Sequence, residues 1–158
     1  MPGRILAEIK QSRPFPSLEA EAAVNLIRSA DTAQRALAAA LKPHQLSPEQ
    51  YNVLRILRGA GHDGLPCGEI AARMVTRDPD ITRLLDRLES RRLIGRTRNT
   101  TDRRVVTTRV RPEGLRLLER LDRPLNEVNK RLMGHLGPKR LRTLVSLLEA
   151  VREQPNES

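Results

Sequence analysis

Eight arginines stand between residues 91 and 111, with Asp102 as the single acid among them. A guanidinium is planar, permanently charged and less strongly hydrated than an ammonium. It pairs with phosphate oxygens and is drawn into the narrow, electronegative minor groove of duplex DNA. A solvated helix face normally mixes signs, and this segment does not. Residues 93–98 and 104–110 are rich in Ile, Val and Thr, which suits strands. The polar tip at 99–103 between them is turn-forming. The segment therefore predicts a two-stranded ribbon with a basic end. Just upstream, Ile81, Leu84, Leu85 and Leu88 recur at helical spacing. A helix over 79–90 buries them and turns Asp80, Thr82, Arg83, Asp86 and Arg87 elsewhere. A B-form major groove is about 12 Å wide and admits one such helix. The candidate DNA contacts are Arg77, Asp80, Thr82, Arg83 and Arg87 around the helix, with Arg98, Asp102, Arg103 and Arg104 on the ribbon.

Other chemistry is poorly provided for. The chain has no Gly-x-Ser-x-Gly, no phosphate-cradling glycine loop and no His-Glu-x-x-His, so no enzyme activity is expected. His44, His62 and His135 are far apart in sequence, and one cysteine cannot build a thiolate cluster, so neither a metal site nor a cofactor is expected. Cys67, in the first turn of a short helix, reads as structural filler rather than a redox sensor.

The elements that must position these groups follow from periodicity. Residues 1–17, with three prolines, form an arm with one helical turn around Ile5, Leu6 and Ile9. From Leu18 an apolar stripe of Ala23, Leu26, Ile27, Ala30, Ala33, Leu37 and Leu41 marks a helix ended by Lys42-Pro43. Ser47-Pro48-Glu49-Gln50 is a capping box, with Leu46 and Tyr51 as a hydrophobic staple. Its helix stops in a loop over 59–64. Residues 65–74 make a short helix with Ile70, Ala71 and Met74 inward, and 75–78 make a turn. Thr76 or Asp78 caps the next helix, with Pro79 in its first turn. After the ribbon, Pro112 opens a long helix with Leu118, Leu121, Leu125, Val128 and Leu132 on one seam. Pro124 inside it should bend it. A last helix starts at Gly137-Pro138, with Leu141, Leu144, Leu148 and Val151 inward, and 154–158 is a polar tail.

The expected fold is mainly α with a small β-hairpin: a winged helix-turn-helix lobe over 46–111, flanked by helices at 18–45 and 112–153. Composition agrees. The net charge is +10 and the pI about 11.2, as in nucleic-acid or anionic-surface binders. Phe15 and Tyr51 are the only aromatics, which disfavours stacking platforms for RNA, single strands or sugars. The longest apolar run, 36–41, is too short to span a bilayer. Residues 1–20 lack the apolar core of a signal peptide. A soluble, cytoplasmic protein without membrane contact is expected.

Four stretches make the sequence familiar: LSPEQYNVLRIL (46–57), LPCGEIAARM (65–74), DITRLLDRLESRRLIGR (80–96) and DRRVVTTRVRPEGLRLL (102–118). Together they resemble the MarR family of bacterial regulators. The Asp102-Arg103-Arg104 run and the helix over 82–88 carry the most specific part of that likeness, and the flanking helices extend it to roughly residues 18–152. The resemblance implies a homodimeric DNA-binding regulator, a repressor on a pseudo-palindromic operator. Its first and last two helices would form the dimer interface. It implies that Arg104 enters the minor groove with Asp102 holding its guanidinium, and that Thr82 and Arg83 take major-groove positions. It also implies a small anionic aromatic effector, for which Tyr51, Leu54, Arg55 and Arg58 would line a crevice. Pro66 and Arg111 replace side chains that cap helices in the family, and Asp78 and Asp80 are acids near phosphate. Such an acid either accepts from a cytosine amino group or only caps, and Asp78 reads as a cap. Two other readings use the same charge: a nonspecific architectural DNA-binding protein, and a module whose basic block binds an acidic protein.

Overall fold

The computed structural model describes residues 3–77 and 80–153. Helix α1 (Ile5–Glu8) is a single turn in the arm, and Ile5 is buried. Helix α2 (Leu18–Leu41) starts at Ser17, whose hydroxyl accepts from the Ala20 N–H at 3.1 Å. A 3₁₀ turn (Lys42–His44) follows, and Gln45 closes it in the left-handed region at φ 55°. Helix α3 (Pro48–Ala60) has the capping box in full. The Gln50 N–H donates to Ser47 Oγ at 3.1 Å, and the Ser47 N–H donates to Gln50 Oε1 at 3.0 Å. Two of the four orphan donors of that helix end are thus satisfied, which typically stabilises by ~1 kcal/mol.

Three expectations change in the next stretch. The loop over 59–64 begins later than predicted, because Gly59 and Ala60 stay in α3 and Gly61–Asp63 forms a 3₁₀ turn. The short helix loses its first two residues to strand β1 (Leu65–Pro66), leaving α4 (Cys67–Arg73). Pro66 has no N–H to give a helix and holds its neighbour extended. Ile70 is fully buried as expected, whereas Ala71 faces out. The N-cap of helix α5 (Ile81–Ser90) is not Thr76. Asp80 is the N-cap, its Oδ1 accepting from the Arg83 N–H at 3.1 Å. Asp78 and Pro79 lie outside the described residues, as does the tail at 154–158.

Strands β2 (Ile94–Arg98) and β3 (Val106–Val110) pair antiparallel from Ile94↔Val110 to Arg98↔Val106. The sheet has three strands rather than two. β1 adds to the far side of β3 through Leu65↔Thr108 and Pro66↔Thr107, giving the order β1-β3-β2. Gly64 makes this possible. Its φ is +65°, and a Cβ there would sit 2.4 Å from the Thr108 carbonyl oxygen. Gly64→Ala is therefore expected to destabilise the fold by about 2 kcal/mol or more, since a backbone atom cannot step aside. Thermal or urea unfolding checks it, and an unchanged midpoint would contradict the close approach.

Helix α6 (Pro112–Met133) runs unbroken through Pro124. A 3₁₀ turn (Gly134–Leu136) leads to α7 (Gly137–Arg152). Neither α4 nor α6 has a side-chain cap, because Pro66 and Arg111 occupy the cap positions. One aliphatic core joins Leu41 of α2, Leu54 and Leu57 of α3, Ile70, Leu85, Leu88, Ile94, and Leu118 and Leu121 of α6. The fold is thus a winged helix. α7 departs from its prediction: none of its residues is buried, and Val151 is 61% exposed. The first two-thirds of α2 is open in the same way, with Ala23, Leu26, Ile27 and Ala30 all exposed.

Candidate nucleic-acid interface

Helix α5 presents two faces of opposite chemistry. Leu84, Leu85 and Leu88 are buried. Thr82, Arg83, Asp86 and Arg87 are exposed, as are Arg77 and Asp80 before them. The side chains of Arg77, Thr82, Arg83 and Arg87 have no hydrogen bond or ion pair to other described residues. Asp80 serves α5 as its cap.

The wing tip, residues 99–105, is shaped by two short acceptors. Asn99 Oδ1 accepts from the N–H groups of Thr101 at 2.8 Å and Asp102 at 3.4 Å. Asp102 Oδ1 accepts from the Arg104 N–H at 3.0 Å. Such side-chain-to-backbone bonds are what Asn and Asp bring to turns. The expectation that Asp102 holds the guanidinium of Arg104 is corrected: it holds the backbone, because the turn brings the Arg104 N–H to its carboxylate. The Arg103 and Arg104 side chains are exposed and without a partner among the described residues. Arg98 is committed differently, its Nη1 donating to the Arg103 carbonyl at 3.1 Å.

Besides Arg98, three arginines of the block are used inside the fold. Arg91, just past α5, donates to the carbonyls of Gln45 at 2.6 Å and His44 at 3.1 Å. Arg109 donates to the His62 carbonyl at 2.7 Å and to Thr97 Oγ1 at 2.9 Å. Arg96 on β2 reaches back to α5, with Nη2 2.5 Å from Asp86 Oδ1 and 3.0 Å from Glu89 Oε1. The Arg96 N–H and Nε also donate to Glu89 Oε2, at 3.1 and 3.3 Å. These bonds hold the Glu89 carboxyl below its ordinary value. Sequence reasoning did not see Glu89. The available signal was a pair of acids three residues apart on a helix flanked by arginines.

The four residues offered for an effector all stand on α3, with Tyr51 near both Arg55 and Arg58. Leu54 is fully buried in the core. Tyr51 is half-buried, which pushes its hydroxyl up, and the Arg55 guanidinium lies 5.8 Å from its ring centre. Arg58 makes a forked ion pair with Asp122, its N···O distances 3.0 Å. A cleft of about 290 Å³ includes Arg58 but not the other three, and is otherwise lined by Gly61, His62, Arg109, Val110, Pro112 and Leu115. Cys67 is half-buried. No cluster of three or more His, Cys, Asp or Glu side chains suited to a metal ion occurs among the described residues. No helix among them is long and apolar enough to cross a membrane.

Helices α2 and α7 enclose an open groove of about 800 Å³. Its lining is almost wholly apolar, with Ala22, Ala23, Leu26, Ala30, Met133, Leu144, Leu147 and Val151 among its residues.

A sequence profile described as the MarR family matches residues 46–106. The HTH-type transcriptional repressor MdtR of Bacillus subtilis is 42% identical over 69 residues, which are 44% of this chain and 43% of that protein. The chain thus spans less than half the length of this curated relative. A crystal structure of a MarR transcription factor from Planctomyces limnophilus is 39% identical. It superposes with a TM-score of 0.68, covering 86% of this chain and 98% of the other. The MepR–DNA complex of S. aureus shares the fold at 23% identity, with a TM-score of 0.72 over 80% of this chain and 93% of its own.

Proposed function

This chain belongs to the MarR family of transcription regulators, and from that premise we propose that it is a homodimeric repressor reading a pseudo-palindromic operator. One observation carries the reading. One set of exposed side chains without a partner among the described residues, Thr82, Arg83 and Arg87, stands on α5, and another, Arg103 and Arg104, on the wing tip. A helix of that kind fits a major groove, and a guanidinium-tipped loop beside it fits the adjoining minor groove. Phosphate contacts from Arg77 and the wing fix register, while Thr82 and Arg83 read base edges.

Dimerisation is supported by the apolar α2 and α7 faces, which one chain leaves open to water. Leu147 is 61% exposed and Leu26 39%. A second copy is the occupant whose stripes match, and pairing of the 18–45 and 112–153 helices sets two 46–111 lobes on one duplex. Repression is supported by the likeness to the MdtR repressor of Bacillus subtilis. Such a repressor works in the cytoplasm, where the chromosome is. A small-molecule effector remains part of this reading, with Tyr51, Arg55 and Arg58 as its candidate contacts and Arg55 as the cation that meets its carboxylate, while Leu54 is buried in the core.

Footprinting on fragments selected from the source genome tests the proposal. The expected result is a two-fold symmetric footprint with half-site centres roughly 10 bp apart. Affinity should fall steeply with salt and exceed that for random DNA by ~10³ or more. A preference under about tenfold would replace it with the architectural reading.

A further inference from the structure

Arg96 makes four short contacts to one helix. Its guanidinium bridges Asp86 and Glu89, and its backbone N–H adds a fourth bond to Glu89. At 24% exposure, its side chain is more enclosed than either carboxylate partner. Asp86 stands one turn beyond Thr82 and three residues beyond Arg83, the groups offered to base edges. Arg96 stands two residues before Arg98, where the wing tip begins.

We propose that Arg96 is a positioning residue: its clasp on Asp86 and Glu89 fixes the angle between α5 and the wing, so that both grooves are met at once. The inference rests on the operator-binding reading above. Exposed ion pairs usually contribute little to stability. A forked guanidinium with two carboxylates differs in that it fixes direction. Electrostatics alone would make Asp86 and Glu89 harmful, since two carboxylates on a DNA-facing helix repel phosphate and one guanidinium neutralises half their charge. Their value lies in what they hold.

Asp86→Asn with Glu89→Gln tests this, because the clasp and simple repulsion predict opposite signs. The variant protein binds the operator and random duplex at several salt concentrations. The positioning role predicts that operator affinity falls about tenfold while affinity for random DNA holds or rises, so the specificity ratio collapses. Arg96→Lys keeps the charge but not the fork, and should lower the ratio without changing the salt slope. A variant that only folds less well loses both affinities together and keeps the ratio, which would overturn the proposal. Parallel tightening on both DNAs would overturn it too, by showing the acids to be mere repulsive charges. Failure of the wild-type protein to prefer any operator would instead sink the underlying reading.

Discussion

Replacing Leu26 and Leu147 together with glutamate is expected to give a monomer that no longer binds its operator. Both side chains line the groove between α2 and α7. Each aliphatic side chain buried by a second copy contributes roughly 1.5–3 kcal/mol. A carboxylate in its place must be desolvated without a partner, at a cost of several kcal/mol. Two such changes per chain, four per dimer, exceed what an ordinary interface can absorb. The consequence for DNA is larger than the loss of one half-site. Two linked lobes bind with an effective concentration that multiplies affinity by about 10² to 10⁴, and separated lobes lose all of it. Sedimentation or light scattering would give the mass, and gel shift the affinity. Glutamate variants that remain dimeric would place the interface elsewhere.

The second large effect belongs to the wing. Arg103→Ala with Arg104→Ala should reduce operator affinity by about 10² at moderate salt. It should also flatten the dependence of log affinity on log salt by about 2 units per wing, close to one for each phosphate-side cation removed. The tip itself should persist, because Asn99 and Asp102 shape it through backbone N–H groups rather than through those guanidiniums. Arg83→Ala should behave differently. A base-edge contact is worth about 1–3 kcal/mol of discrimination, so sequence preference should relax at one position per half-site while the salt slope changes little. Binding measured on single-substitution operators across a salt series separates the two classes. Equal effects of the wing and α5 variants on preference would contradict the division of labour.

Much of the fold was legible because its signals are local. The capping box at Ser47 and Gln50, the leucine spacing of α5 and the β-branched runs of the wing each sit within a few residues of what they specify. β1 was not legible. Two residues carry no periodicity, and the partner of Leu65 is Thr108, far along the chain. The cap of α5 was ambiguous because Thr76, Asp78 and Asp80 all suit it chemically, and only the turn decides. The stripes of α2 and α7 are legible as apolar faces, but periodicity does not say what covers them, and in one chain no residue of α7 is buried. Within one chain they have no inside. At the candidate site, charge counting found the basic segment and overstated what it offers outward, because the commitments of Arg91, Arg96 and Arg109 are tertiary contacts. Thr97 and His62, to which Arg109 donates, gave no sign of that role.

The grip of Arg91 on the carbonyls of His44 and Gln45 has a mechanical consequence. Those carbonyls terminate the segment that follows α2, and Arg91 directly follows α5. The end of the DNA-reading element is thereby bolted to the end of the long spar that a twin subunit would seat against. Torque applied at the spar cannot dissipate in a slack joint. In the proposed dimer it would be geared into the stance of each reading head, so that the stride between half-sites would follow the splay of the pair.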